Sequence, residues 1–198
     1  ACASEINRQP DFTALGSIHF LSENPVKEVH RIKKLGLRGV KLHPDYQGFM
    51  IDDERMDKIY DAIERADLPV IFHSGYDCVS PDLIHSTPER ALSMIKKHPK
   101  LKVILAHLGA NMMWEQVRDV LAGVDGEVYF DTAFTSMCPD ELMQAIVEKH
   151  GADRILFASD CPWDSSYLIK EKILRLNISE DNKDKILGGN AERLLGLK

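Results

Sequence analysis

The chain has 198 residues, of which 44% are hydrophobic and 28% charged, and its formal net charge at pH 7 is -6. This length and composition are typical of a globular protein with one sizeable core, so we expect a single domain over residues 1–198. The acidic balance argues against nucleic-acid binding and against binding to an anionic membrane surface, because both need clustered lysine and arginine.

Cysteine usage and hydropathy are typical of a cytoplasmic protein. The four cysteines, Cys2, Cys78, Cys138 and Cys161, form no C-x-x-C pair, which suits free thiols better than a disulfide framework. No apolar run approaches the roughly 18 residues of a membrane span, and the first residues lack the basic and apolar regions of a signal peptide. We therefore expect a cytoplasmic location and no membrane contact.

Short apolar runs alternate along the chain with segments of helical period. In chain order, the predicted elements are strand 12–20, helix 23–36, strand 38–43, helix 52–66, strand 68–73, helix 86–97, strand 102–107, helix 113–123, strand 127–134, helix 139–151 and strand 154–160. The part of the chain from Ser165 onwards reads as helical. Asn24 followed by Pro25, and Ser86 or Thr87 followed by Pro88, are typical helix starts.

Alternating strands and helices predict right-handed βαβ units and a parallel sheet. Two architectures remain, an open doubly wound sheet and a (β/α)8 TIM-type barrel, of which about six units are visible. Polar residues recur at the predicted strand ends: Lys41, His73, His107, Asp131 and Asp160. A barrel would bring all of these ends to one mouth, and no glycine-rich phosphate loop follows any strand, so we favour the barrel.

Two of these strand ends carry a histidine in matching positions, in "PVIFHSG" and "VILAHLGA". One such histidine is more often a hydrogen-bonded core residue, but two in register with Asp160 of "FASDCPW" form a pattern typical of a metal site. Neutral imidazoles and a carboxylate are the usual ligands of catalytic zinc, iron or manganese. We expect zinc first, with manganese or iron as alternatives.

Several motifs in order resemble a known family. They are "GVKLHPDYQGF", "PVIFHSG", "VILAHLGA", "YFDTAF", "ILFASDCPW" and "ILGGNAERLLGL". They are similar to the metal-dependent amidohydrolase superfamily, in the branch that includes aminocarboxymuconate-semialdehyde decarboxylase and many uncharacterised hydrolases. The resemblance implies a (β/α)8 barrel with one divalent metal in its mouth. It further implies that His73 is a metal ligand, Asp160 a ligand or proton carrier, and His107 a ligand or a base that orients metal-bound water.

The sequence departs from that family in one respect. Members carry an H-x-H pair on the first barrel strand, whereas none of the eight histidines here lie two residues apart. The chain is also shorter than the roughly 250 residues of a typical barrel. We therefore expect that the N-terminal strands are missing, and that the 198-residue chain holds metal weakly.

Four further residues are predicted to contact a small-molecule substrate: Lys41, His43, Tyr46 and Trp163. Lys41 and His43 lie two apart on one strand and so share a face, and aromatic rings commonly line a barrel mouth. For Lys41 a structural ion pair, for example with Asp131, is an equal alternative. A homodimer is also compatible with the sequence.

The metal-activated water of such a site first suggests a hydrolase of amides, esters or lactones, with non-oxidative decarboxylation as the alternative. Two other classes stay open: a metal-free barrel fragment that only binds, and an open sheet that binds an anion at helix N-termini. The barrel predicts that His73, His107 and Asp160 converge at one end of the sheet. It also predicts burial of both faces of the strands over residues 70–72 and 103–105.

Overall fold

The computed structural model describes residues 2–6, 8–9 and 11–197 of the chain. These residues form six β-strands, which are shorter than the sequence patterns predict. The strands are β1 (Gly16–Ser17), β2 (Val40–Leu42), β3 (Val70–Phe72), β4 (Val103–Leu105), β5 (Val128–Asp131) and β6 (Ile155–Leu156).

All six strands belong to one parallel sheet, and their order in the sheet is their order in the chain. Each strand pairs with the next, for example Lys41 with Ile71 and Ile71 with Ile104. A doubly wound sheet reverses its strand order at a switch point, and this sheet has no reversal between β1 and β6. The architecture is therefore a six-stranded partial barrel of the (β/α) type, and the open-sheet alternative is wrong.

Helices connect and follow the strands. They are α1 (Cys2–Ile6), α2 (Pro25–Lys34), α3 (Pro44–Gln47), α4 (Asp57–Arg65), α5 (Pro88–Lys97), α6 (Trp114–Gln116), α7 (Asp140–His150), α8 (Ser166–Arg175), α9 (Glu180–Asp184) and α10 (Asn190–Leu195). Short 3-10 turns at Glu54–Met56 and Ala152–Arg154 precede α4 and β6, and π-helical turns at Val117–Leu121 and Lys185–Gly189 extend α6 and α9.

The helix starts follow the capping signals in the sequence. The Asn24 side chain accepts a hydrogen bond from the Lys27 backbone N–H at 3.0 Å, and Pro25 opens α2. Of the two candidate caps before α5, Thr87 is the one used. Ser86 is instead buried, with its hydroxyl 3.1 Å from that of Ser74.

The sheet separates a large core from a small one. Side chains on its outer face, such as Val40, Phe72 and Phe130, pack with the helices in the main hydrophobic cluster. On the inner face, Ile104, Tyr129 and Leu156 form a second cluster. Helix α10 covers this inner cluster through Ala191 and Leu194.

Burial of both faces is confirmed at five of the six predicted positions. Val70, Phe72, Val103, Ile104 and Leu105 are each no more than 1% exposed. Ile71 is half-buried, beside the half-buried Lys41 on the inner face of the sheet. The inner face is thus the less completely covered one at β2 and β3.

Cys78, Cys138 and Cys161 are free thiols, as predicted, while the prediction for Cys2 concerns a side chain outside the described part. Within the described ranges, no helix has the length and apolar character needed to cross a membrane.

His150, at the end of α7, is a buried histidine that the fold keeps neutral. Its Nε2–H donates to the Val128 carbonyl at 3.0 Å, and its Nδ1 accepts from the Gly123 N–H at 3.3 Å. Its ring also stacks on Phe130 at 3.8 Å. Burial, and secondarily the charge of Arg154, lowers the pKa of His150 from 6.5 to about 3.

This lowered pKa predicts a loss of stability in acid. Between pH 6.5 and about 3 the unfolded chain binds a proton at His150 that the folded chain does not, so the free energy of unfolding falls as pH falls. We expect His150→Gln to reduce the slope of stability against pH in this window by up to about 1.4 kcal/mol per pH unit. Urea denaturation between pH 4 and 7 measures the slope, with His30→Gln at an exposed position of α2 as the control. A change in slope no larger than that of the control would contradict the prediction.

Candidate metal centre

The carboxyl ends of the parallel strands share one edge of the sheet, and His73 and His107 lie there next to each other. The distance from His73 Nδ1 to His107 Nε2 is 3.0 Å, and His107 Nδ1 lies 3.0 Å from the Ala133 carbonyl oxygen. A carbonyl can only accept, so the proton of neutral His107 lies on Nδ1 and its Nε2 accepts from His73 Nδ1–H. The lone pair of neutral His73 is therefore on Nε2.

A left-handed backbone turn places His107. His107 and Leu108 have φ angles of 64° and 56°, which disfavour residues with a side chain. Asp131 stabilises the turn, since its Oδ1 accepts from the His107 N–H at 3.0 Å. The indole N–H of Trp114 also donates to the His107 carbonyl at 3.0 Å. Strained backbone held by several partners is common at functional sites.

His43 follows β2 and stacks on His73. Their ring centroids are 4.2 Å apart and their planes 6° from parallel. Tyr46 covers the opposite side of His43, at 3.7 Å and 4°. His43 is also the N-cap of α3, and its Nδ1 accepts from the Tyr46 N–H at 3.4 Å.

Asp77, four residues after His73, presents one carboxylate oxygen to both histidines. Its Oδ1 accepts from the backbone N–H groups of Val79 and Ser80 and, at 3.3 Å, from the Tyr46 hydroxyl. Its Oδ2 lies 3.7 Å from His43 Nε2 and 3.8 Å from His73 Nε2. The hydrogen bonds to Oδ1 fix the carboxylate and leave Oδ2 facing the imidazoles.

These donors fit a divalent metal ion. His43, His73 and Asp77 each offer a ligand atom, and the three atoms lie within 4.8 Å of one another. His73 Nε2 is buried and has no hydrogen-bond partner among the described residues, although burial of an unpaired polar atom is costly. Two imidazoles and one carboxylate form a donor set found in catalytic metal sites. A cation would therefore satisfy an atom that the protein leaves unpaired.

The site favours neutral bases. Burial, followed by the charges of His107, His43 and Lys41, lowers the pKa of His73 from 6.5 to about 2. Burial, followed by the Lys41 charge, also lowers the pKa of His43. The pKa of Lys41 itself is lowered by burial, against the opposing charges of Asp131 and Asp160. Both imidazoles are therefore unprotonated and able to act as ligands at neutral pH.

The structure gathers most of the residues predicted for the site. Tyr46, His43, His73 and His107 contact one another in that order, and the charge of Lys41 lowers the pKa of both His43 and His73. Asp160 and Trp163 are exposed and lie outside the three-residue group. The ligand and proton-carrier roles of Asp160 and His107, and the substrate contacts of Trp163, stay predictions.

Asp77 and Asp45 are the residues that sequence reasoning missed. Asp77 lies in a loop and not at a strand end, so a search restricted to strand ends passes over it. The signal was the spacing His73-x-x-x-Asp77 in "HSGYD". Asp45, in "LHPD", is buried beneath His43 and bonds to His85. Neither partnership follows from local sequence, because the pairs Asp77–His43 and Asp45–His85 join separate βα units.

Comparison with known proteins places this site in context. Residues 16–197 match the family model described as Amidohydrolase. The chain is 26% identical over 223 aligned positions to 2-amino-3-carboxymuconate-6-semialdehyde decarboxylase from Dictyostelium discoideum. That alignment covers 94% of this chain and 61% of the relative, so the chain spans about three fifths of the relative's length.

Solved structures share the fold. An uncharacterized TIM-barrel protein from Bordetella bronchiseptica has a TM-score of 0.81 and 26% identity, over 98% of this chain and 70% of that protein. A dihydroxybenzoic acid decarboxylase from Polaromonas, solved with bound manganese and the inhibitor 2-nitroresorcinol, has a TM-score of 0.75 and 20% identity. It is matched over 99% of this chain and 73% of its own.

Proposed function

The chain belongs to the amidohydrolase family, and from that premise we propose that it is a metal-dependent, non-oxidative decarboxylase of a small carboxylated compound. The observation that carries the proposal is the buried, unpartnered His73 Nε2, which faces Asp77 Oδ2 and belongs to a three-donor group with His43. Decarboxylation, our alternative from the sequence, now ranks above hydrolysis. The similar proteins with named activities reported above are both decarboxylases.

We propose that the metal is held by His43, His73 and Asp77. When bound, it would supply positive charge that holds the substrate carboxylate and stabilises the electron pair released from the broken bond. Manganese or zinc fits this mixed nitrogen and oxygen donor set, and a protein of the same fold was solved with manganese. Asp160 remains a proposed further ligand or proton carrier.

The chain's own residues provide the remaining chemistry. Loss of carbon dioxide breaks a carbon–carbon bond, the electron pair stays on the substrate carbon, and that carbon then takes a proton. We propose His107 as the proton carrier: its Nε2 takes up a proton from solvent and passes it to the substrate carbon, while its Nδ1 stays held by the Ala133 carbonyl. Nε2 has one lone pair, so the hydrogen bond from His73 must open before Nε2 can serve a substrate.

Substrate recognition is proposed for the side chains around this group. Lys41 lies on β2, close enough for its charge to lower the pKa of His43 and His73, and its ammonium suits a second carboxylate or phenolate of the substrate. Tyr46, in α3 after β2, and Trp163, in the loop after β6, are exposed aromatic rings. A small-molecule substrate, a cytoplasmic location and a homodimer stay predictions.

A comparison of product formation tests the function. The purified protein with manganese or zinc is assayed against hydroxybenzoates that carry a carboxylate beside a hydroxyl, and against 2-amino-3-carboxymuconate semialdehyde. We expect release of carbon dioxide in equal amount to the decarboxylated product. At saturating metal, His107→Gln should lower kcat about 100- to 10,000-fold, since proton transfer contributes an effect of that size.

A matched panel of amides, esters and lactones tests the competing hypothesis that the protein is a hydrolase. Hydrolysis of any of these by the metal-loaded protein, without carbon dioxide release from the carboxylated panel, would restore the hydrolase hypothesis. Full activity of the His107→Gln variant would remove His107 from the proton-carrier role.

A further inference from the structure

A second buried carboxylate, Asp45, lies behind His43 on the side away from Asp77. Its side chain is fully buried. Its Oδ1 accepts from the backbone N–H of His85 at 3.2 Å and lies 3.0 Å from His85 Nδ1. His85 Nδ1 is also 3.0 Å from the Leu83 carbonyl oxygen. Both neighbours of this nitrogen are acceptors, so it carries a proton and donates.

The other oxygen of Asp45 has no such partner. Asp45 Oδ2 is buried without a hydrogen bond from any described residue, and His43 Nδ1 lies 4.0 Å from it. Leaving a buried carboxylate oxygen unpaired costs the full desolvation of that atom. The site therefore contains two buried atoms left unsatisfied by the described residues: Asp45 Oδ2, near His43 Nδ1, and His73 Nε2, in the ring stacked on His43.

Which nitrogen of neutral His43 carries the proton determines whether both of these atoms can gain a partner. In the present arrangement its Nδ1 accepts from the Tyr46 N–H, so neutral His43 carries its proton on Nε2, the nitrogen that faces Asp77. A metal ion needs the lone pair of Nε2, and neutral His43 would then carry its proton on Nδ1. That nitrogen faces Asp45 Oδ2. The bond given up is the long 3.4 Å contact from Tyr46, an exposed residue.

We propose that Asp45 is a positioning residue that holds His43 in its metal-binding tautomer by accepting a hydrogen bond from His43 Nδ1–H. Histidine ligands of metals commonly donate their second N–H to a carboxylate, and loss of that carboxylate typically costs about 10- to 100-fold in metal affinity. His85 completes the arrangement, because it fixes the Asp45 carboxylate through Oδ1. One cation would then pair with His73 Nε2 directly. It would also give Asp45 Oδ2 a hydrogen bond, because metal-bound His43 carries its proton on Nδ1.

Zinc binding and the nitrogen-15 spectrum of the histidines test the inference, which rests on the proposed metal centre. Calorimetric titration with zinc should show an affinity about 10- to 100-fold lower for Asp45→Asn than for the wild type. Asp53→Asn is the matched control, because Asp53 also accepts a hydrogen bond from a backbone N–H, at a helix start outside the His43, His73 and Asp77 group. Its zinc affinity should equal that of the wild type.

The spectrum needs no variant, and so remains decisive if Asp45→Asn does not fold. In the zinc-loaded wild type, the imidazole nitrogen-15 shifts of His43 should show the proton on Nδ1 and zinc on Nε2. Zinc on Nδ1, or an Asp45→Asn affinity equal to that of the wild type, would overturn the role of Asp45. A wild type that binds no zinc or manganese would instead overturn the metal centre of the proposed function.

Discussion

Replacement of His73 by alanine is expected to lower the zinc affinity of the protein at least about 100-fold, because a ligand that contacts the metal contributes more than the residues behind it. His73 Nε2 is the buried donor without a partner, and the hydrogen bond to His107 keeps its lone pair turned away from that ring. We expect weak but measurable zinc binding by the wild type, which lacks the H-x-H pair, and none above background in the variant. Elemental analysis after dialysis, together with calorimetry, measures both.

His98→Ala is the matched control, since His98 and His73 are each 6% exposed. His98 lies 3.2 Å from Asp57 and outside the candidate centre, so its replacement should lower stability and leave zinc uptake unchanged. Equal zinc affinity in the two variants would contradict the assignment of His73. One equivalent in the wild type, lost with His73, would show that the weak binding expected from the missing H-x-H pair is wrong.

Replacement of Gly75 by alanine is expected to destabilise the fold by at least about 3 kcal/mol, a loss of the size seen when backbone geometry is broken. Gly75 has a φ of +87°, and an added Cβ would collide with backbone atoms of Ala110 and Asn111. At this point the loops after β3 and β4 pair, with Gly75 opposite Asn111 in a parallel bridge. His73 lies two residues before Gly75 and His107 lies four residues before Asn111, so zinc binding should fall as well.

The Gly48→Ala variant distinguishes the cost of backbone strain from the cost of a steric clash. Gly48 has a similar φ of +73°, but an added Cβ meets no atom within 4 Å. Its substitution should therefore cost only the strain of a left-handed residue, about 1–2 kcal/mol. Urea denaturation compares the two variants, and a Gly75→Ala protein no less stable than the Gly48→Ala protein would contradict the prediction.

The architecture was largely predictable from the sequence. Alternating apolar runs and helical periods predicted parallel βα units, and the polar strand ends favoured a barrel, in agreement with the sequential strand order. The helix starts at Asn24 and Thr87 follow capping chemistry that acts within three residues. Strand length was overestimated, because apolar character continues past the last ladder hydrogen bond into loops such as the one after β4.

The centre was only partly predictable. Matching strand ends identified His73 and His107, and the fold brings them within 3.0 Å of each other. Asp160 also follows its strand; its side chain is exposed, and its role in the centre stays a prediction. A carboxylate that faces His73 comes from Asp77, in a loop held by hydrogen bonds from the Val79 and Ser80 backbone N–H groups to the Asp77 side chain.

The class of fold, the edge of the sheet where polar residues collect and two of the histidines there were all predictable from the order of the amino acids. These properties depend on periodicity and on residues at strand ends, which are local. The folded chain was needed to show which nitrogen of each imidazole has an available lone pair, which carboxylate faces it and which polar atoms stay unpaired. Those properties depend on contacts between separate βα units, such as His43 with Asp77 and His107 with Ala133, and hydrogen-bond partners a long way apart in the chain leave no local pattern.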